Sequence, residues 1–187
     1  RNWPHNEHIW PFAVGFEVEA LFMTGMQDKA FELLDACWGN MIRKGSDTFW
    51  EVVDVNTGDF MKERLHNPGE GIDTWNSYCH GWSAGVSYLM QAFIAGIIPT
   101  EPGFSKFTIN PQLNYLESVK ATIPINNSNI VFNADTYKDG KIKVNMVIPK
   151  GTVGIWDSRK YLCEIISGPC RNLSLLEPGT YEMLIQE

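Results

Sequence analysis

The sequence predicts an α+β chain with two parts, a helical part over residues 1–110 and a small antiparallel β-sandwich over residues 111–187. Two observations predict this division. Up to about residue 98, outside a long stretch at 46–76, apolar residues recur at spacings of three and four, the period of a helix with one buried face. From about Phe107 they alternate with polar residues in short runs, the period of strands that bury one side. Short alternating runs separated by turns are typical of two packed antiparallel sheets.

Two helices joined by a short turn are predicted before residue 46. Pro11 suits the first turn of a helix, and Gly25 suits its end, because glycine adopts the left-handed conformation readily. We expect Phe12 and Phe16, four positions apart, to lie on a wide buried face of this helix. The second helix begins near Gln27 and closes with cations followed by glycine at 43–45.

Residues 46–76 have no regular period and are rich in glycine, asparagine and aspartate, which predicts a long loop. Long ordered loops in compact domains are usually functional. A third helix is predicted from about Gly81 to Ala95. Because three helices with wide apolar faces cannot bury those faces against one another alone, we expect them to be the last segment of a larger helical assembly.

The second part contains strong turn signals between its alternating runs. Asp139-Gly140 separates two such runs and predicts a hairpin. Cys163 and Cys170 lie in this part, where a disulfide bridge and two buried free thiols are both open. None of the four cysteines forms a C-x-x-C pair, so we expect no zinc site. We also expect no other metal and no cofactor.

The charge of the chain argues against two classes of partner. The net charge is −7, and no run of Lys and Arg exceeds two residues, whereas nucleic acid and anionic membrane surfaces attract concentrated positive charge. The apolar stretch 85–98 is too short to cross a bilayer. The seven tryptophans are unusual, and indoles are common both in protein cores and where sugars bind.

The candidate chemistry lies in two short stretches, 46–51 and 75–82. Glu51 follows Trp50 directly, and a carboxylate beside indoles suits the general base of a glycosidase, which needs two carboxyl groups. His80 precedes the third helix and suits a contact with a sugar hydroxyl. Trp75 and Trp82 flank it and, with Trp50, suit stacking walls. On the residues alone, a Glu after a Trp is more often a surface or capping residue.

The sequence resembles the C-terminal part of α-L-rhamnosidases of glycoside hydrolase family 78. The resemblance rests on four segments that match the family in order and spacing: WPFAVGFEVEALFMTGMQDKAFELLDACWGNMI (10–42), GSDTFWE (45–51), SYCHGWSAGVSYLMQAFIAGIIPTEPGF (77–104) and FTINPQL (107–113). The T-x-W-E and H-G-W-S-x-G elements are fairly specific together. The β segment that follows matches only in position and character.

The resemblance implies a fold and a reaction. The fold is an (α/α)6 barrel followed by a small β-sandwich, and the reaction is inverting hydrolysis of terminal α-L-rhamnosyl linkages. By the T-x-W-E match, Glu51 is the general base, and His80 is a sugar-contacting residue. Trp50 and Trp82 occupy motif positions. The family's general acid lies far upstream, and no residue here matches it.

The resemblance also implies partners for this chain. They are a rhamnose-containing oligosaccharide or glycoside and the remainder of a parent polypeptide, so we expect the 187 residues alone to be an incomplete glycosidase. A secreted or periplasmic location is favoured over the cytoplasm. Two alternatives stay open: a glycosidase of another (α/α)6 family with a different sugar specificity, and a non-catalytic carbohydrate-binding or structural module.

Overall fold

The computed structural model describes residues 8–54, 56–61, 76–113, 116–157 and 159–186, and it confirms the α+β class. The chain divides into two compact units, Arg1–Leu89 and Met90–Glu187. The α-helices are α1 (Pro11–Met23), α2 (Gln27–Leu34), α3 (Asn40–Arg43) and α4 (Val86–Leu89). The strands are β1 (His8–Ile9), β2 (Val53–Asp54), β3 (Ile97–Pro99), β4 (Lys106–Ile109), β5 (Ser118–Ile125), β6 (Ser128–Thr136), β7 (Ile142–Ile148), β8 (Val153–Trp156), β9 (Leu162–Ser167) and β10 (Gly179–Gln186).

The first unit begins with the predicted pair of helices. α1 ends at a left-handed glycine, Gly25, with a φ of 77°, and the next amide, that of Met26, donates to the carbonyl of Leu21 at 2.8 Å. The same closure recurs after α3, where Gly45 has a φ of 74°. Both predicted helix ends are therefore confirmed, and the reason is the one expected, since glycine adopts this conformation without a steric penalty.

The buried face of α1 differs from the predicted one. Val14, Val18 and Leu21 are buried, whereas Phe12 and Phe16 are exposed among the described residues. The prediction that these two rings lie on a buried face was therefore wrong. Phe12 and Phe16 share a neighbouring stripe of the helix, and the apolar surface of α1 is wider than the part that its described neighbours cover.

Two helical segments depart from α-helical geometry. Between α2 and α3, the residues Asp35–Gly39 form a π-helical turn. The predicted third helix is confirmed in extent, but it consists of a 3₁₀ turn at Gly81–Gly85, the short helix α4 and a π-helical turn at Met90–Ile94. Periodicity predicts that a helix forms and does not distinguish these variants, which differ by one residue in hydrogen-bond spacing.

The second unit contains two sheets that share one hydrophobic core. The five-stranded sheet has the order β5-β6-β7-β10-β9 and is antiparallel throughout. The three-stranded sheet has the order β3-β4-β8. Strand β7 shows the pattern best, with Ile142, Val144, Met146 and Ile148 buried in alternation. The predicted hairpin at Asp139-Gly140 joins β6 to β7 and is confirmed.

One strand pair departs from the predicted antiparallel arrangement, because β4 and β8 are parallel. The pair joins strands that are distant in the sequence, as a parallel connection requires. Strands β3 and β4 precede residue 110 and pair within the second unit, so this unit begins before the predicted boundary. The assignment of the two parts to a barrel segment and a sandwich domain stays a prediction.

The described cysteines are all free thiols, so Cys163 and Cys170 form no disulfide bridge, and both are half-buried where the second alternative expected buried thiols. Within the described ranges, no helix combines the length and the apolar character needed to cross a membrane.

Candidate active site

The two candidate stretches lie side by side in the first unit. The amide of Glu51 donates to the carbonyl of Ser77 at 2.9 Å, and the amide of His80 donates to the carbonyl of Phe49 at 2.7 Å. The hydroxyl of Thr48 donates to the carbonyl of Tyr78 at 2.5 Å. Two backbone hydrogen bonds and one from a side chain therefore bring the T-x-W-E element against the segment that leads into the 3₁₀ turn.

The carboxylate of Glu51 is hydrogen-bonded to Ser77, the same residue that pairs with the Glu51 backbone. The amide of Ser77 donates to Oε2 of Glu51 at 2.7 Å. The Nδ1 atom of His80 lies 3.9 Å from the same oxygen, beyond hydrogen-bond range but within reach of an ion pair when the imidazole is protonated. The side chain of Glu51 is 11% exposed and that of His80 is 28% exposed, so both are partly shielded and both remain accessible to a small molecule.

Trp82 has the most exposed of the aromatic rings that the structure describes at the site. Its side chain is 69% exposed, and its ring centroid lies 5.9 Å from that of His80 in an edge-on arrangement. The centroid of the Phe12 ring lies 5.1 Å from that of Trp82. Because the indole borders the imidazole next to Glu51, its exposed surface is available to the apolar face of a ring bound there.

Trp50 takes a different position from the one expected of a stacking wall. It is 7% exposed and packs edge-on against Phe60 and Tyr78, which stack on each other at 3.6 Å. Trp50 is therefore a buried packing residue in contact with Phe60 and Tyr78. Its contact with a sugar stays a prediction. Trp75, the remaining candidate, lies outside the described residues.

Nearby carboxylates are engaged elsewhere. The side chain of Asp54 accepts hydrogen bonds from the amides of Asn56 and Thr57 at 2.8 and 3.0 Å. The ammonium of Lys44 lies 2.7 Å from Asp59 and lowers the pKa of that carboxyl. In the described ranges, no three His, Cys, Asp or Glu side chains are grouped so as to hold a metal ion.

Sequence reasoning missed two contributors to this site. Ser77 acts through its backbone amide, which every residue except proline possesses, so no side-chain signal points to it. Phe12 was assigned to a buried face, yet its ring reaches Trp82. The spacing of Phe12 and Phe16 marks them as neighbours on one stripe, but it carries no information about what covers that stripe.

Two curated relatives are similar to this chain in sequence, while no protein-family model matches it. An α-L-rhamnosidase of Streptomyces avermitilis is 28% identical over 159 residues, which cover 79% of this chain and 14% of that protein. An α-L-rhamnosidase of Alteromonas sp. is 29% identical over 136 residues, covering 70% of this chain and 14% of that protein. The chain thus spans about one seventh of the length of these relatives.

Solved structures share the fold at lower identity. An α-L-rhamnosidase of Dictyoglumus thermophilum has a TM-score of 0.68 at 16% identity, covering 95% of this chain and 21% of its own. The Streptomyces avermitilis α-L-rhamnosidase in complex with L-rhamnose has a TM-score of 0.64 at 22% identity, covering 91% and 17%. A GH78 family rhamnosidase of Bacillus sp. GL1 has the same TM-score and identity, covering 81% and 15%. The resemblance predicted from the motifs is therefore confirmed: in sequence and in fold, this chain is similar to a part of the α-L-rhamnosidases.

Proposed function

We propose that this chain supplies the general base of a glycoside hydrolase that cleaves terminal α-L-rhamnosyl linkages with inversion. The base is Glu51, and the general acid comes from outside these 187 residues. The observation that carries the proposal is the setting of the Glu51 carboxylate, which is fixed by the Ser77 amide at 2.7 Å and bordered by His80 and the exposed ring of Trp82. The similarity to α-L-rhamnosidases supports this substrate class.

Each group has a defined part in the proposed reaction. The carboxylate of Glu51 takes a proton from a water molecule as that water attacks the anomeric carbon, and the acid protonates the leaving oxygen on the other face of the sugar. The Ser77 amide keeps the carboxylate in one orientation, which matters because proton transfer needs hydrogen-bond geometry. His80 donates to a sugar hydroxyl, and Trp82 stacks on the apolar face of the ring.

The test of Glu51 is the variant Glu51→Gln in the whole polypeptide that carries these residues. We expect this variant to lose nearly all turnover of an aryl α-L-rhamnoside while L-rhamnose still binds, since the amide cannot accept the proton. Glu17→Gln, an exposed position on α1, is the matched control and should turn over substrate normally. Normal turnover by Glu51→Gln removes Glu51 from the mechanism.

The missing acid gives a second test. Because acid–base assistance is worth about 10²–10⁴-fold, the 187-residue chain alone should fall at least that far below the whole polypeptide. Comparable turnover from the two proteins ends the proposal that the acid lies outside the chain. The anomeric configuration of the first product, read by NMR before mutarotation, tests inversion independently.

A further inference from the structure

A buried indole is hydrogen-bonded to the turn that follows His80. The Nε1 atom of Trp38 donates to the carbonyl of Ser83 at 2.9 Å, between positions 45 apart in the sequence, and the bond is buried. Ser83 lies in the 3₁₀ turn Gly81–Gly85, which begins directly after His80 and contains Trp82. The indole therefore reaches the turn that contains Trp82 and that directly follows His80.

The Trp38 bond is the last of three hydrogen bonds in series. The amide of His80 donates to the carbonyl of Phe49 at 2.7 Å, and the amide of Ser83 donates to the carbonyl of His80 at 3.0 Å. The carbonyl of Ser83 then accepts the indole of Trp38. The series connects the stretch just before Glu51 to the helical core, and His80 lies at its centre.

Trp38 reaches Ser83 from the π-helical turn Asp35–Gly39. A 2.7 Å ion pair between Asp35 and Arg43 connects the start of this turn to the end of α3. A π turn changes the direction of its side chains relative to an unbroken α-helix, and such turns are frequent at functional sites.

A second buried tryptophan shows that burial alone does not require such a partner. Trp38 and Trp156 are each 4% exposed, yet Nε1 of Trp156 has no hydrogen-bond partner among the described residues. Trp156 lies on β8, in the other unit. Burial of an indole therefore does not by itself explain the hydrogen bond from Trp38 to Ser83.

We propose that Trp38 is a positioning residue that sets the place of His80 and Trp82 beside Glu51, through its hydrogen bond to Ser83. The proposal rests on the proposed function, since it assigns Trp38 to the same site. Without the indole donor, the 3₁₀ turn loses its buried anchor, and the imidazole and the Trp82 ring move relative to the carboxylate. Trp38 itself touches neither the substrate nor the reacting atoms in this scheme.

The test compares Trp38→Phe with Trp156→Phe in the 187-residue chain. Each variant replaces a buried indole by a phenyl ring, but only the first removes a hydrogen bond. The first readout is the NMR signals of the His80 imidazole and of the Trp82 indole, with Glu51→Gln used to identify the signals that respond to the carboxylate. We expect Trp38→Phe to shift them and Trp156→Phe to leave them unchanged.

The second readout is the affinity for L-rhamnose, titrated into the whole polypeptide that carries each variant. We expect Trp38→Phe to weaken binding about tenfold, which corresponds to 1.4 kcal/mol, with Trp156→Phe equal to the unmodified chain. Unchanged His80 and Trp82 signals in Trp38→Phe overturn the proposal, as do shifted signals with unchanged affinity. If the unmodified whole polypeptide binds no L-rhamnose, the proposed function fails, and the NMR signals alone decide the role of Trp38.

A measurement on the unmodified chain covers the case in which Trp38→Phe does not fold. Hydrogen exchange of the Trp38 Nε1–H should be as slow as that of the amides of His80 and Ser83, because the three protons lie in one series of hydrogen bonds. Fast exchange of the indole proton beside slow exchange of the two amides overturns the proposal.

Discussion

Ser77 and Glu51 exchange hydrogen bonds in both directions. The amide of Ser77 donates to Oε2 of Glu51 at 2.7 Å, and the amide of Glu51 donates to the carbonyl of Ser77 at 2.9 Å. One residue thus holds both the backbone and the carboxylate of the proposed base. A base held at two points keeps its orientation, which is the kind of preorganisation that proton transfer rewards.

Replacing Ser77 by proline tests this arrangement, because proline lacks the amide that holds the carboxylate. In the whole polypeptide that carries these residues, we expect Ser77→Pro to lower kcat on an aryl α-L-rhamnoside by about 10²-fold, the scale of a misplacement of about 1 Å in an active site. Ser77→Ala is the control, since it keeps the amide and loses only the hydroxyl, which donates to the carbonyl of Cys79. Equal kcat values in the two folded variants would contradict the role given to the amide.

The exposed ring of Trp82 leads to a prediction about binding. Because this side chain is 69% exposed, Trp82→Ala should cost little stability. It should weaken L-rhamnose binding by about 0.5–1.5 kcal/mol, the usual contribution of a ring contact. Trp82→Phe keeps an aromatic face, so its loss of binding free energy should lie in the lower part of that range. Calorimetric titration checks both, and an unchanged affinity in Trp82→Ala would remove the stacking role.

The parts of the fold that the sequence predicts well are those in which one residue type determines the backbone. Gly25, Gly45 and Gly140 end helices or turn a hairpin in the left-handed conformation, and all three are predicted by position. Strand β7 is likewise predicted by alternation, because a period of two places its apolar residues on one face.

The parts that the sequence does not predict depend on distant partners. The parallel pairing of β4 with β8 has no local signal, since each strand reads as an ordinary alternating run. The exposure of Phe12 depends on what surrounds α1, and the contribution of Ser77 is a backbone amide. In the site, motif positions pointed to Glu51 and His80, and the structure brings them within 3.9 Å. The same reasoning treated Trp50 and Trp82 alike, although their burial differs widely.

The thiol of Cys163 predicts how stability depends on pH. Cys163 lies on β9, and burial raises its pKa from 9.0 to about 12. The folded state therefore keeps the thiol neutral at pH values where the unfolded chain ionises. Its contribution to stability is fully present below about pH 9 and is lost as the pH rises toward 12.

We accordingly expect the free energy of unfolding to fall more steeply above about pH 9 in the unmodified chain than in Cys163→Ala. Urea unfolding followed by circular dichroism, at several values between about pH 8 and 10, measures the two slopes. The comparison cancels the ionisation of other groups, because both proteins share them. Parallel slopes would show that Cys163 ionises equally in the folded and the unfolded chain.

Two glycines of the second unit test how closely the chain packs on itself. Gly96 and Gly103 have nearly the same left-handed backbone, with φ values of 68° and 67°. A Cβ atom at Gly96 would lie 2.1 Å from the carbonyl carbon of Asn110, whereas one at Gly103 meets nothing within 4 Å. The two positions therefore share the conformational cost of an alanine and differ only in the steric one.

We expect Gly103→Ala to cost about 1–2 kcal/mol, the penalty of a left-handed non-glycine residue. Gly96→Ala should cost more than about 4 kcal/mol, because the obstacle is the backbone that follows β4 and cannot move aside as a side chain does. The Gly96 carbonyl also accepts the amide of Asn110 at 2.8 Å, so any shift breaks that bond. Urea unfolding of both variants measures the difference in stability. If Gly96→Ala does not fold at all while Gly103→Ala folds, the prediction is confirmed in a stronger form. Equal stabilities would mean that the chain at Gly96 and Asn110 separates at little cost.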